Sequence, residues 1–216
     1  MDRNFAKSLA LVLKHEGGWS DNPKDPGGAT MKGVTLTNFR RYVKPNATKD
    51  DLRKITNEQI ATVYRRFYWD AVSGNELPDG VDYAVFDFGV NSGPSRAIKY
   101  LQAVVGAAED GRIGPATMAA VRAKMHAGII NQLCDDRLAF MKRIRHKETG
   151  ALLWTTFGKG WSSRVQSVRS DALKMLTPGQ APAPPLVIPE APPAGNMTFP
   201  PAEPKGFWAW LKSFFI

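Results

Sequence analysis

The chain has 216 residues, of which 43% are hydrophobic and 23% charged, the balance of a globular protein that builds a core without cross-links. Its single cysteine, Cys134, excludes an internal disulfide. No segment reaches the roughly 18 apolar residues of a membrane-spanning helix. The net charge of +9 favours a polyanionic partner, and by itself it admits nucleic acid and the bacterial envelope equally.

In chain order, the first predicted helix runs from about Asp2, as N-cap, to His15 or Glu16. Phe5, Leu9, Val12 and Glu16 fall at i, i+4, i+7 and i+11, which returns Glu16 to the apolar face. The glycine-rich stretch 19–36 reads as a small β-hairpin. Thr56 followed by Gln59 forms a capping-box pattern that opens a helix running through Val72. Its aromatics, Tyr64, Phe67, Tyr68 and Trp69, are denser than one helix face needs and read mostly as core. Further helices are expected near 80–90, 94–105, 115–125, 127–148 and 160–176. Ile98, Leu101 and Val105 mark a core-facing stripe, Gly114-Pro115 starts a helix with proline at N1, and Trp154 and Trp161 read as core. Cys134 sits in an apolar stretch and reads as a buried thiol. The period-2 alternation of a sheet protein is mostly absent. The fold class is therefore mainly α, with one small β-hairpin beside the first helix.

The composition changes near residue 178. Residues 178–206 hold most of the sixteen prolines, so this stretch reads as a semi-rigid, extended linker. The last ten residues, 207–216, form a strongly apolar tail with one lysine. A ten-residue helix rises only about 15 Å, too short to span a bilayer. An interfacial position on an anionic membrane surface, packing on the main domain, and disorder all remain open for it.

The chemistry is concentrated in residues 15–35. Glu16 ends the apolar stripe, in what is expected to be the last helical turn, before Gly17 and Gly18 stop the helix. Partial burial and the helix dipole both disfavour its ionised form, and a carboxylic acid that keeps its proton near neutrality suits general-acid catalysis. Asp25 follows after eight intervening residues, in a Pro-Gly turn that swings it back toward Glu16. Paired carboxylates across a cleft are the usual equipment for glycoside hydrolysis. Asp21 is a rival second acid, although Asp21-Asn22-Pro23 reads more as a turn. The Thr30 hydroxyl is placed to help hold a water beside Asp25, and Trp19 to stack on a sugar ring. Asp87 and Asn91, near an expected helix end, are candidates for hydrogen bonds to sugar N-acetyl groups. His15, His126 and His146 are scattered, so no metal centre or other cofactor is expected.

Glu16-Gly17-Gly18-Trp19-Ser20-Asp21-Asn22-Pro23, Asp25-Pro26-Gly27-Gly28-Ala29-Thr30 and Gly33-Val34-Thr35 resemble glycoside hydrolase family 108, which contains N-acetylmuramidases, many of them phage or prophage endolysins. The order Glu, eight residues, Asp, Thr also resembles phage-type lysozymes, in which five residues usually separate the Asp from the Thr; here four do. Phe86-Asp87-Phe88-Gly89-Val90-Asn91-Ser92-Gly93, Leu101-Gln102 and Asp110-Gly111-Arg112-Ile113-Gly114-Pro115-Ala116-Thr117 resemble the peptidoglycan-binding region that accompanies this family. Gly158-Lys159-Gly160-Trp161 with Arg164 resembles its C-terminal helix. The resemblance covers about residues 5–176.

It implies a lysozyme-like helical fold, with a catalytic part at 1–92 and a helical peptidoglycan-binding part at 93–177 packed on it as one unit. It identifies Glu16 as the catalytic acid and implies a muramidase that lyses bacteria. With no signal peptide evident, the expectation is a protein made in the host cytoplasm that acts on the cell wall after release by a holin or another export partner. It is expected to be a monomer that does not bind nucleic acid. A lytic transglycosylase and a non-catalytic peptidoglycan-binding module are the alternatives.

Overall fold

The computed structural model describes residues 4–21, 28–146 and 149–176. The expected linker at 178–206, the apolar tail at 207–216, Asp2 and Asp25 lie outside the described residues. What is described is mainly helical, with one small antiparallel sheet.

Helix α1 spans Phe5–Leu13, with Asn4 as N-cap. Phe5, Leu9 and Val12 are buried along one face, as their spacing requires. The helix stops earlier than its apolar stripe suggests. The His15 N–H donates to the Val12 carbonyl at 2.9 Å and the Glu16 N–H to the Leu13 carbonyl at 3.4 Å, three residues back rather than four. Glu16 therefore lies in a tightened turn just beyond the helix, not in its last helical turn.

That turn leads into strand β1 (Trp19–Ser20), which pairs with β2 (Thr30–Met31), which in turn pairs with β3 (Val34–Thr35). Trp19 faces Met31, and Thr30 lies between Ser20 and Thr35. Between β2 and β3 stand Lys32 at φ 46° and Gly33 at φ 74°, the two positive values that a tight two-residue hairpin turn requires. The stretch read as one hairpin is thus three short strands.

Thr35 caps helix α2 (Leu36–Tyr42), and Thr48 forms a capping box with Asp51 at the start of α3 (Lys49–Arg53). Neither helix stands out in the sequence, because seven and five residues are too few for a helical period to show. The capping box at Thr56 and Gln59 opens α4 (Asn57–Tyr64). The path continues through a wider π-type turn at Arg65–Trp69 and a tight 3-10 turn at Asp70–Val72.

Helix α5 (Val81–Ser92) is the axis of the molecule, and all twelve of its residues are buried. A helix apolar on nearly every side has to be enclosed. Helices α1, α6 (Pro94–Val105), α8 (His126–Lys142) and α9 (Trp154–Met175) enclose it. Phe5, Trp69 and Phe86 meet edge to face, with ring centroids 5.2–6.2 Å apart. Ile98, Leu101 and Val105 are buried on α6, and Cys134 is buried on α8. Helix α7 (Pro115–Arg122) starts with proline in the first turn. Helix α9 begins earlier than expected, so Trp154 is only partly buried, whereas Trp161 joins the core. No helix among the described residues is long and apolar enough to cross a membrane.

Candidate active site

Glu16 stands where α1 gives way to β1, with its side chain 1% exposed. Its Oε1 accepts a hydrogen bond from Nη1 of Arg164 at 3.1 Å. On the other side, Oε2 lies against the turn between β2 and β3. A Cβ added to Gly33 would come within 2.9 Å of Oε2 and would collide with the Tyr64 hydroxyl. That hydroxyl donates to the Lys32 carbonyl at 3.0 Å. The turn therefore passes between Tyr64 and Glu16, and glycine is required at 33 both for its positive φ and for the close approach.

Arg164 comes from α9 and is held from behind by α5. Its Nη2 donates to Asp87 Oδ2 at 2.9 Å, and its Nε reaches the same oxygen at 3.1 Å. Asp87 Oδ1 also accepts from Nη1 of Arg137, on α8, at 2.7 Å. The Arg137 guanidinium lies 5.1 Å from the Phe88 ring centroid, and its Nε and Nη2 are buried without a hydrogen bond among the described residues. Arg137, Asp87, Arg164 and Glu16 thus form one buried chain of alternating charge, drawn from four different segments.

The electrostatics follow from this order. Burial works to raise the Asp87 pKa, but Arg164 and Arg137 together outweigh it and hold the carboxyl down to about 2. Burial pushes the Tyr64 hydroxyl well up, and the charge on Glu16 adds to the effect. Tyr68 is raised for the same two reasons. His15 is lowered, first by burial and then by Arg164. Glu16 thus combines an enclosed side chain with a charge-assisted hydrogen bond from Arg164.

The remaining expected site residues fall into different places. Thr30 is buried on β2, and its hydroxyl donates to the Gly28 carbonyl at 3.2 Å. Trp19 is half-buried, with the Arg53 guanidinium 4.4 Å from its ring centroid, so one face of the indole is already covered. Asp21 pairs with Lys49 at 3.0 Å. Asp87 and Asn91, expected to offer hydrogen bonds to sugar N-acetyl groups, are both buried. Asp87 is 0% exposed, and its carboxylate accepts hydrogen bonds from two arginines. Asn91 is also enclosed in α5: it accepts from the Ser92 hydroxyl at 3.0 Å, and its amide nitrogen is buried. Both lie on a helix surrounded by other helices, where position along the chain says nothing of access to solvent.

Arg164 and Arg137 were not anticipated as site residues, yet a signal existed. Arg164 falls in register with Trp161, Val165, Val168 and Ala172, and Arg137 with Ile130, Leu133, Cys134 and Met141, all buried. A cation set inside an apolar stripe must find a buried anion.

A helical fold with a buried carboxyl acid beside a small sheet is the setting of a glycoside hydrolase, and comparison with known proteins defines which kind. The model of the family "Glycosyl hydrolase 108" matches residues 9–93, and that of "Predicted Peptidoglycan domain" matches residues 96–166. The solved structure titled "Structure of Brucella abortus SagA" is 46% identical, covering 81% of this chain and 97% of that one, with a TM-score of 0.68. A search of curated proteins finds no match. The chain belongs to the glycosyl hydrolase 108 family. It is a glycoside hydrolase of peptidoglycan.

Proposed function

We propose that the protein is an N-acetylmuramidase, hydrolysing the bond between N-acetylmuramic acid and N-acetylglucosamine. Glu16 protonates the glycosidic oxygen as the bond breaks, and Asp25, with Thr30, positions the water that attacks the anomeric carbon. The observation that carries this reading is the placement of Glu16: a carboxyl group fixed between Arg164 and the Gly33 turn, at the junction of helix and sheet. Trp19 offers one indole face to a sugar ring. The biological outcome of the reaction is lysis of the cell. The enzyme is made in the host cytoplasm and passes to the wall with a holin or another export partner, acting as an endolysin. The tail at 207–216 adds contact with an anionic membrane surface.

The test is digestion of purified Gram-negative sacculi by the protein and by Glu16→Gln, with mass spectrometry of the muropeptides. Fragments ending in reducible N-acetylmuramic acid, absent with the variant, are the expected result. Anhydro ends would make the protein a lytic transglycosylase. Uncut glycan with folded protein still bound to sacculi would make it a binding module.

A further inference from the structure

The two family regions meet inside the buried charge chain. Glu16 and Asp87 belong to the stretch matched by the hydrolase model, residues 9–93, and Arg137 and Arg164 to the stretch matched by the peptidoglycan model, residues 96–166. Arg164 touches both acids at once, Glu16 through Nη1 and Asp87 through Nε and Nη2. Arg137 touches Asp87 alone of these two acids. A region that served only to hold the cell wall would have no need to place a buried guanidinium against the catalytic glutamate.

We propose that residues 96–166 complete the catalytic site: Arg164, locked in place by Asp87 and Arg137, is a positioning residue that orients Glu16 and sets the pH at which it releases its proton. The proposal rests on Glu16 being the proton donor.

Around Glu16 stand Arg164 from α9, with Asp87 of α5 and Arg137 of α8 behind it, Tyr64 from α4, Tyr68 from the π-type turn, and His15 from its own turn. The tyrosines are raised and His15 is lowered, so these three are neutral through the neutral range. Arg164 and Asp87 act on Glu16 in opposite senses. Arg164, one hydrogen bond away, stabilises the carboxylate. Asp87 binds two other nitrogens of the same guanidinium and offsets its charge, which keeps Glu16 from being held ionised too firmly to act as an acid. Arg137 in turn keeps Asp87 ionised. This order makes opposite predictions for the two residues. Losing the cation at 164 lets Glu16 keep its proton to higher pH. Losing the anion at 87 leaves Arg164 unopposed, and Glu16 gives up its proton at lower pH.

The experiment uses the full chain and two readouts: the carbon NMR titration of the Glu16 carboxyl, and the pH dependence of glycan cleavage in sacculi. Arg164→Gln is expected to move the Glu16 midpoint, and with it the alkaline limb of activity, upward by about 1–3 pH units. Arg164→Lys, which keeps the charge, moves both less. Asp87→Asn moves both downward. A Glu16 midpoint in Arg164→Gln equal to that of the parent protein would overturn the proposal, as would a uniform loss of activity at every pH with the limb unmoved. Should Asp87→Asn fail to fold by circular dichroism, the contrast between Arg164→Gln and Arg164→Lys decides. Glu16→Gln separates the two levels. If it still cuts glycan, the proton-donor reading falls whatever the titrations show; if it is inactive while Arg164→Gln leaves the Glu16 midpoint at the parent's value, only the role of Arg164 falls.

Discussion

Arg164 and Asp87 join through three hydrogen bonds of 2.9–3.2 Å, in a place where their side chains are 6% and 0% exposed. They are 77 residues apart in the chain, and their contact ties α9 to the middle of α5. A buried pair of this kind is weak evidence of net stabilisation, since two charges have left water. Breaking it is another matter, because the charge left behind has nowhere to go.

Removal of the shared anion should therefore be severe. Asp87→Ala leaves Arg164 and Arg137 facing each other, and a loss of about 3–5 kcal/mol is expected. Urea unfolding at neutral pH measures it. A midpoint within experimental error of the parent protein would show that the chain contributes nothing to stability.

Acid should weaken the protein through the same residue. The Asp87 carboxyl is held down to about 2 from an ordinary value of 3.8, so the native state binds fewer protons than the unfolded chain between these values. The stabilisation is complete above the ordinary value and is lost as pH falls toward 2, by roughly 2 kcal/mol in all. Thermal unfolding between pH 2 and 5 reads it, and a flat profile would contradict the assignment.

Asp82 should act in the opposite sense. Burial is the main cause that pushes it up to about 6, against the Asn4 amide, which donates to it at 2.8 Å. Here the native state binds more protons, so stability is greatest below about 4 and declines as pH rises toward 6, by roughly 3 kcal/mol. Asp82→Asn should flatten that decline. Melting temperatures of the two proteins from pH 4 to 7 provide the comparison, and parallel curves would rule the effect out.

The turn at Gly33 offers a matched pair of substitutions. Gly28 and Gly33 both have positive φ, 65° and 74°, but an added Cβ meets nothing within 4 Å at Gly28, whereas at Gly33 it meets Tyr64 and Glu16. Gly28→Ala should lose only about 1 kcal/mol, from its backbone. Gly33→Ala should lose more and should cut glycan cleavage at least tenfold, because Oε2 of Glu16 has to move. Equal activity in the two variants would show that the close approach does not matter to catalysis.

Gln102 holds a loop rather than a reacting group. Its amide nitrogen reaches Asp110, the Arg112 carbonyl and Thr117, and its oxygen accepts from the Gly111 N–H. Gln102→Leu leaves those groups unpaired at a cost of about 2–3 kcal/mol. Hydrogen exchange over residues 110–117 should speed up while the titration of Glu16 stays put; unchanged protection would show that the loop is held by other contacts.

Much was decided by local sequence alone. The apolar stripe of α1, the capping box at Thr56 and Gln59, the stripe on α6 and the proline at the start of α7 are all written within a few residues, because helix period and caps depend on near neighbours. The enclosure of the Glu16 side chain at the end of that stripe was legible for the same reason, since the stripe is continuous in the chain. The helix ends, the third strand and the two shortest helices were not, since a turn or a five-residue helix takes its stability from what packs on it. The largest difference lies at Asp87. In sequence it is a polar residue near a helix end, free to face a sugar; in the fold it sits on the most enclosed helix and binds two arginines from 50 and 77 residues away. Local patterns carry no record of which distant charge will meet a given acid. A charge inside an apolar stripe announces that a partner must exist, because an ion cannot leave water alone, but only the packing of α5, α8 and α9 decides that the partners are Asp87 and, through Arg164, Glu16.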